Sequence, residues 1–191
     1  MVECLLAKQN VVGSTPTTRS NDKYFMIYIA YRGLFEGVNP QTEDTPDQIG
    51  KAFNAGFSVM VDVWRVNDLL YLGADQPLIE VTEKYLQGPR FWINCRNQDM
   101  QDWIVTQPTK KYPHYFWNID PNTPYDTTSD GYLWTYQVQP VNNLSIMVLP
   151  EIADRGLLST VHWKCYGVCT TFAPFIKRIR NEGGSPYGYF Y

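Results

Sequence analysis

Three charged side chains follow apolar runs in the first part of the chain. Arg32 comes after the run 26–31, Asp62 lies within the run 59–64, and Asp75 comes shortly after the run 70–72. Carboxylates bind hard cations or pair with a guanidinium, and a guanidinium binds anions. These residue types could form a small ion-binding site, and Arg32 with Asp62 could equally form a structural ion pair.

The segments around these charges have the pattern of a βαβ unit. Apolar runs at 26–30 and 59–64 predict two strands buried on both faces. Between them, Thr45 followed by Pro46 predicts the start of a helix, and Gly56 predicts its end. Since functional groups of α/β barrels gather where the strands end, we expect the charged residues at one edge of a sheet.

The rest of the chain continues with short strands and few helices. Further strands are predicted at 70–72 (after a tight turn at 66–69), 91–95, 115–117, 132–136, 145–149 and 167–170, with helices at 77–86, 97–107 and 172–180 and a loop at 120–130. This order predicts an α/β fold, a compact, abbreviated TIM-type (β/α) barrel over 26–182, with a doubly wound open sheet as the alternative.

The two ends of the sequence differ from the middle. Residues 1–25 are polar and unpatterned, and V-V-G-S-T-P-T-T-R-S resembles the translation of a tRNA gene. They predict a disordered leader, with Met26 as the expected natural start. The Gly- and Tyr-rich residues 183–191 predict a loosely ordered tail.

Composition narrows the possible functions. With 191 residues, 44% hydrophobic and 15% aromatic, the chain has the composition of one globular domain. A net charge of -3 gives no support for non-specific nucleic-acid binding. No run approaches the roughly 20 apolar residues of a membrane span. The four cysteines lack the spacing of a zinc site and predict reduced thiols in a cytoplasmic protein.

Four short motifs carry a resemblance. In order they are Tyr31-Arg32-Gly33, Glu43-Asp44-Thr45-Pro46, Met60-Val61-Asp62 and Gly73-Ala74-Asp75. They resemble the His-Arg-Gly, Glu-Asn-Thr/Ser-Pro, Glu-x-Asp and His-Asp motifs of glycerophosphodiester phosphodiesterases, which belong to the phosphatidylinositol-specific phospholipase C-like barrel superfamily. The resemblance is specific over residues 26 to 100, and it implies a phosphoric diester hydrolase fold of lipid metabolism.

The resemblance also implies roles for the matching positions. Tyr31 and Ala74 stand where the family has the histidines that act as general acid and base. Met60 replaces a metal-binding Glu, and Asn94 stands in the third-strand motif where another Glu is expected. Among the matching positions, Arg32, Arg96 and Asp75 are the expected phosphate-binding residues, and Asp62 is a weak metal ligand. A thioether does not bind a hard cation, so a divalent cation (Mg²⁺ or Ca²⁺) is expected only if the protein is active.

Three functional hypotheses follow. The first is an inactive or impaired phosphodiesterase-like domain with a residual pocket for a phosphate or phosphodiester. The second is an active hydrolase whose site is rebuilt from Tyr31, Asp62 and Asp75. It would add one further carboxylate, from Asp120, Asp126 or Glu151. The third is a carbohydrate- or protein-binding module that uses an aromatic group consisting of Trp117, Tyr125, Tyr132, Trp134 and Tyr136, most of which could instead be core residues.

Single residues also have simpler interpretations. Asp75 could cap a turn, Arg96 could pair with Asp120 or Glu151, and Glu43 could support the loop before Thr45. The histidines, His114 and His162, have no ligand-spaced partner and are expected at the surface, with His114 at the far end of the barrel.

Overall fold

The computed structural model describes residues 26–118, 123–136, 141–153 and 165–182. Within these ranges ten strands belong to one sheet. The strands are β1 (Ile27–Tyr31), β2 (Ser58–Val66), β3 (Leu69–Leu72), β4 (Ile79–Val81), β5 (Phe91–Cys95), β6 (His114–Phe116), β7 (Tyr125–Thr127), β8 (Leu133–Tyr136), β9 (Ser145–Val148) and β10 (Gly167–Thr170). The helices are α1 (Pro46–Asn54), α2 (Gln98–Ile104), α3 (Pro150–Ala153) and α4 (Ala173–Glu182).

Seven of these strands run parallel in the order β6-β5-β2-β1-β10-β9-β8. Strand β7 adds to β8 in the antiparallel direction. Strand β3 forms a hairpin with the second half of β2, and β4 pairs with the other edge of β3. The turn between β2 and β3, at Asn67 and Asp68, has φ values of 50° and 67°, as a two-residue type I′ turn requires.

The sheet curls so that one face encloses a core of its own. Side chains from all seven parallel strands meet there, namely Ile29, Met60, Trp92, Phe116, Trp134, Ile146, Val148 and Cys169. The rings of Phe116 on β6 and Trp134 on β8 have centroids 4.4 Å apart. Because β6 and β8 are far apart in strand order, this contact brings the two ends of the sheet together.

A set of polar contacts, here called the latch (Pro113, His114, Tyr115, Ser129 and Asp130), joins the two ends. The Ser129 amide donates to the Tyr115 carbonyl at 2.8 Å, and the Tyr115 amide donates to Ser129 Oγ at 3.0 Å. Ser129 Oγ donates to the Pro113 carbonyl at 2.9 Å, and His114 Nδ1 lies 2.7 Å from Asp130 Oδ2.

The latch does not extend into a strand ladder in the part of the chain that is described. The fold is therefore a mixed α/β sheet curled into a partial barrel, and the open-sheet alternative is consistent with it.

The described helices that contribute to the main hydrophobic core pack on the outer face of the sheet. Ile49 and Ala52 of α1, Met100 and Ile104 of α2, and Ala173 of α4 belong to this outer core. Helix α1 begins as predicted, since Thr45 Oγ1 accepts a hydrogen bond from the Gln48 amide at 3.3 Å. In the same way, Asn97 caps α2 by accepting from the Met100 amide at 3.3 Å.

Most predicted elements are confirmed, but the helix at 77–86 is wrong. Strand β4 and a turn at 83–86 occupy that range. Ile79 and Val81 are half-buried and alternate with the exposed Glu80, and they pair with Leu72 and Leu70 of β3. Strand β3 has an edge that can pair with a further strand, and Ile79 and Val81, which are both β-branched, form that strand.

The predicted loop at 120–130 is also wrong in part. Strand β7 lies within it and pairs with β8, although its residues Tyr125, Asp126 and Thr127 carry no apolar run. The strand predicted at 70–72, after a tight turn, is confirmed as β3, which returns antiparallel to β2. Strands β4 and β7 also run antiparallel to their neighbours.

Several predictions fall on residues outside the described ranges: the leader 1–25, the tail 183–191, Asp120 and His162. The three cysteines in the described ranges, Cys95, Cys165 and Cys169, are free and buried. None of the described helices combines the length and apolar character that a bilayer crossing requires.

Candidate functional site

The predicted site residues gather at the end of the sheet where β1, β2 and β5 finish. We call this group the rim, and it consists of Tyr31, Arg32, Asp62, Asn94 and Arg96. Asp62 lies beside Asn94 in the strand register.

Two of the predicted positions, Met60 and Ala74, lie beside the rim, and a third, Asp75, is exposed to solvent. Met60 lies beside Tyr31 in the strand register. Ala74 is buried next to the rim, because the preceding Gly73 donates its amide hydrogen to the Asp62 carbonyl at 3.2 Å. Asp75 is exposed on the loop that follows β3.

Asp62 is the centre of the rim, and its side chain is fully buried. Its Oδ2 accepts from Arg32 Nε at 2.7 Å, and its Oδ1 accepts from Asn94 Nδ2 at 2.6 Å. Burial raises the pKa of Asp62, while Arg32, Arg96 and Asn94 oppose that rise. Both carboxylate oxygens are therefore already engaged with protein donors.

Arg32 is held by three carboxyl groups. Besides Asp62, its Nη1 donates to Glu43 Oε2 at 3.2 Å, and its Nε lies 4.0 Å from Asp44 Oδ2. The residue has a positive φ of 52°, which turns the chain toward these partners. Its side chain is only 18% exposed. The structural ion pair between Arg32 and Asp62 is therefore present. Glu43, on the loop before Thr45, contacts Arg32 as well.

Asp44 also belongs to this site, although sequence reasoning singled it out only through its place in the second motif. Its Oδ1 accepts from the Asp62 amide at 3.2 Å, and its buried Oδ2 accepts no hydrogen bond. Burial, together with the nearby charge of Asp62, raises the pKa of Asp44 to about 8. The carboxyl therefore holds its proton at neutral pH.

Arg96 is the more accessible of the two rim arginines. Its side chain is 33% exposed, and its Nε lies 3.8 Å from Asp62 Oδ1, beyond hydrogen-bonding distance. Its guanidinium carbon lies 5.6 Å from the ring centre of Trp64. Trp64 is itself fixed by donating Nε1–H to the Gly73 carbonyl at 2.7 Å. The predicted pairing of Arg96 with Glu151 is wrong, because Glu151 bonds elsewhere.

The two other carboxylates considered for a rebuilt site have structural partners. Glu151 Oε1 accepts from the Thr171 amide and from the hydroxyls of Thr170 and Thr171, each at 2.9 Å. Asp126 Oδ2 accepts from Tyr136 at 2.8 Å and from Asn118 at 3.3 Å.

The groups present at the rim match acid–base catalysis poorly. Burial raises the pKa of Tyr31 to about 12, and the charge of Asp62 adds to the effect while that of Arg32 opposes it. A phenol with that pKa stays protonated at neutral pH and cannot act as a base. Ala74 has no group that can transfer a proton.

The rim also fits a hard cation poorly. Met60 offers a thioether, and the oxygens of Asp62 are bonded to Arg32 and Asn94. Across the described ranges, no three His, Cys, Asp or Glu side chains come together as a ligand group.

His114 differs from the expectation of a surface residue. It begins β6, at the end of the sheet opposite the rim, which is the predicted position. However, its side chain is only 16% exposed, pairs with Asp130 and stacks on Trp92 with ring centroids 4.1 Å apart. It is a half-buried part of the latch.

The aromatic group proposed for a binding groove divides between the two faces of the sheet. Tyr132, Trp134 and Tyr136 pack in the inner core, as the simpler interpretation held. Trp117 and Tyr125 instead line a cleft on the outer face.

The chain was compared with protein-family models, with curated proteins and with solved structures, and none of the three comparisons gave a match.

Proposed function

We propose that this chain is a phosphodiesterase-like barrel that has lost hydrolysis and retains a binding pocket for a small phosphate or phosphodiester at its rim. The sheet would be completed into a barrel by the latch. The cation that faces the ligand is Arg96, because Arg32 is held by Asp62, Glu43 and Asp44.

One observation carries this proposal: both oxygens of Asp62 are bonded within the protein, to Arg32 and Asn94. In an active phosphodiesterase of the resembling family, this carboxylate is needed for a metal ion. Here it serves to hold the rim together. Loss of a general acid and a general base costs about 10²- to 10⁴-fold in rate for each group, and neither Tyr31 nor Ala74 replaces them.

The alternative of an active hydrolase with a rebuilt site has less support. Glu151 and Asp126, its additional carboxylates in the described ranges, accept hydrogen bonds from neighbouring strands and loops. Asp75 is exposed and lies apart from the buried Asp62.

The proposal is tested by combining a hydrolysis assay with thermal denaturation. We expect no turnover of glycerophosphocholine or glycerophosphoethanolamine with Mg²⁺ or Ca²⁺ present. We expect glycerol 3-phosphate or the diesters to raise the melting temperature, since a ligand at 100 times its Kd adds about 2.7 kcal/mol to the free energy of unfolding.

Two arginine variants locate the effect. Arg96→Ala should abolish the ligand-induced stabilisation. Arg65→Ala is the matched control, because Arg65 also lies over a tryptophan (6.0 Å from Trp103) but belongs to an ion pair with Asp68 away from the rim. Turnover at ordinary enzyme rates would contradict the loss of hydrolysis. If the ligands stabilised both variants equally, or did not stabilise the wild type at all, the proposed phosphate pocket would be contradicted.

A further inference from the structure

A second concave surface lies on the outer face of the sheet, beside the junction of β6 and β7. It is a cleft with a volume of about 390 Å³, within the range of small-molecule sites. Its lining residues are Tyr115, Trp117, Thr123, Tyr125, Asp126, Thr127, Thr128 and Ser129. These residues are distinct from those of the rim.

One wall of the cleft is aromatic. Tyr115 and Trp117 are two residues apart, so their side chains leave the chain on the same face. Their ring planes are nearly parallel, with an angle of 10° between them and centroids 6.1 Å apart. Both side chains are half-buried against the outer core, which fixes their orientation.

The rest of the lining is largely polar. Tyr125 and Thr127 on β7 are exposed, and Tyr125 has 46% of its surface accessible. Thr128 and Ser129 line the same cleft, and their hydroxyls are oriented by hydrogen bonds to Asp130 and to the Pro113 carbonyl. A ligand in the cleft would thus contact both aromatic rings and hydroxyl groups.

The described lining of the cleft offers no counter-ion for an anionic ligand. Of the described residues that line it, Asp126 alone carries a charge, and that carboxylate is buried and accepts hydrogen bonds from Tyr136 and Asn118. No lysine or arginine is among them, so a phosphate would find no counter-ion.

From this combination we infer that the β6–β7 cleft binds a neutral carbohydrate, with a sugar ring lying on Tyr115 and Trp117. A pyranose has an apolar C–H face that packs on an aromatic ring and an edge of hydroxyls that forms hydrogen bonds. Tyr125 and Thr127 would contact the hydroxyl edge or the next sugar unit. This site is independent of the proposed phosphate pocket.

Calorimetric titration of the full chain with cello-, chito-, malto- and xylotetraose tests the inference. We expect at least one of these oligosaccharides to bind in the millimolar range or tighter. Trp117→Ala and Tyr125→Ala should each weaken binding by about tenfold or more. Tyr71→Ala, on β3 at another part of the sheet, is the matched aromatic control and should bind as the wild type does.

Tyr125 is exposed, so Tyr125→Ala should fold even if Trp117→Ala does not, and it then carries the test alone. Arg96→Ala should leave sugar binding unchanged, which separates this site from the rim. Absence of binding to every oligosaccharide, or binding that Tyr125→Ala leaves unchanged, would overturn the inference.

Discussion

At the scale of single residues, the rim is a set of charges that satisfy one another. Asp62 needs a cation because it is fully buried, and Arg32 supplies it at 2.7 Å. Asn94 adds a donor where a carboxylate at the same position would add repulsion. The charges and donors of the rim are therefore consistent with one another, and they hold Asp62 in place.

Asp44 is the residue whose ionisation should depend most visibly on this environment. Its folded-state pKa of about 8 lies above the value of about 3.9 for an unfolded aspartate. The carboxyl therefore contributes most to stability below about pH 4. That contribution falls as pH rises and is lost once pH passes about 8.

Asp44→Asn should remove this pH dependence. Asparagine keeps an oxygen for the Asp62 amide, tolerates the positive φ of 54° at this position, and cannot ionise. It is also the residue that the resembling family carries there. We expect the variant to gain stability relative to the wild type as pH rises from about 4 to 8, measured by urea denaturation.

The exposed Asp75→Asn serves as the control for that series. A stability difference between Asp44→Asn and the wild type that stays constant across this pH range would contradict the assigned protonation of Asp44.

At the scale of elements, helix α1 positions the rim from outside the sheet. The loop that carries Glu43 and Asp44 ends at its N-cap, Thr45. Thr45→Ala should lower the free energy of unfolding by about 1 kcal/mol, because the Gln48 amide loses its acceptor. In a chain of this size that corresponds to a decrease in melting temperature of about 2–4 °C.

Calorimetry would measure that decrease. The control is Thr109→Ala, at an exposed turn position, which should have the same melting temperature as the wild type. Equal melting temperatures for both variants would mean that the cap does not stabilise α1.

The elements also show what the sequence could predict. Apolar runs such as 26–30 and 59–64 predicted their strands correctly, because a short continuous apolar run is typical of a strand buried on both faces. Strands β4 and β7 were missed because each has three residues and depends on a neighbour for pairing. Local pattern carries no information about such a partner.

The same distinction applies to the site. The grouping of Arg32, Asp62 and Asn94 was predictable, since ends of parallel strands meet at one edge. The role of Asp44 and the contact of Arg96 with Trp64 depend on loop geometry and strand register. The latch joins residues that are 14 positions apart in the sequence, Tyr115 and Ser129, so no periodic pattern indicates it.

At the scale of the whole molecule, the latch joins the two ends of the curled sheet. Ser129→Ala removes the hydroxyl that accepts from the Tyr115 amide and donates to the Pro113 carbonyl. We expect faster hydrogen–deuterium exchange at the Tyr115 amide, with little change at amides of β1 and β2.

Ser58→Ala, at the start of β2, is the control and should leave exchange at Tyr115 as in the wild type. Uniformly faster exchange across the sheet in Ser129→Ala would indicate global destabilisation and would contradict a local role for the latch.

The stacking of Trp92 on His114 has a consequence for spectroscopy. Trp92 is buried, and its ring lies against the imidazole of His114 with ring centroids 4.1 Å apart. Because the emission of an indole depends on the groups in contact with it, His114→Phe should change the tryptophan emission spectrum of the folded chain, measured at one fixed pH. The protein thus contains its own optical reporter for the packing at one end of the sheet.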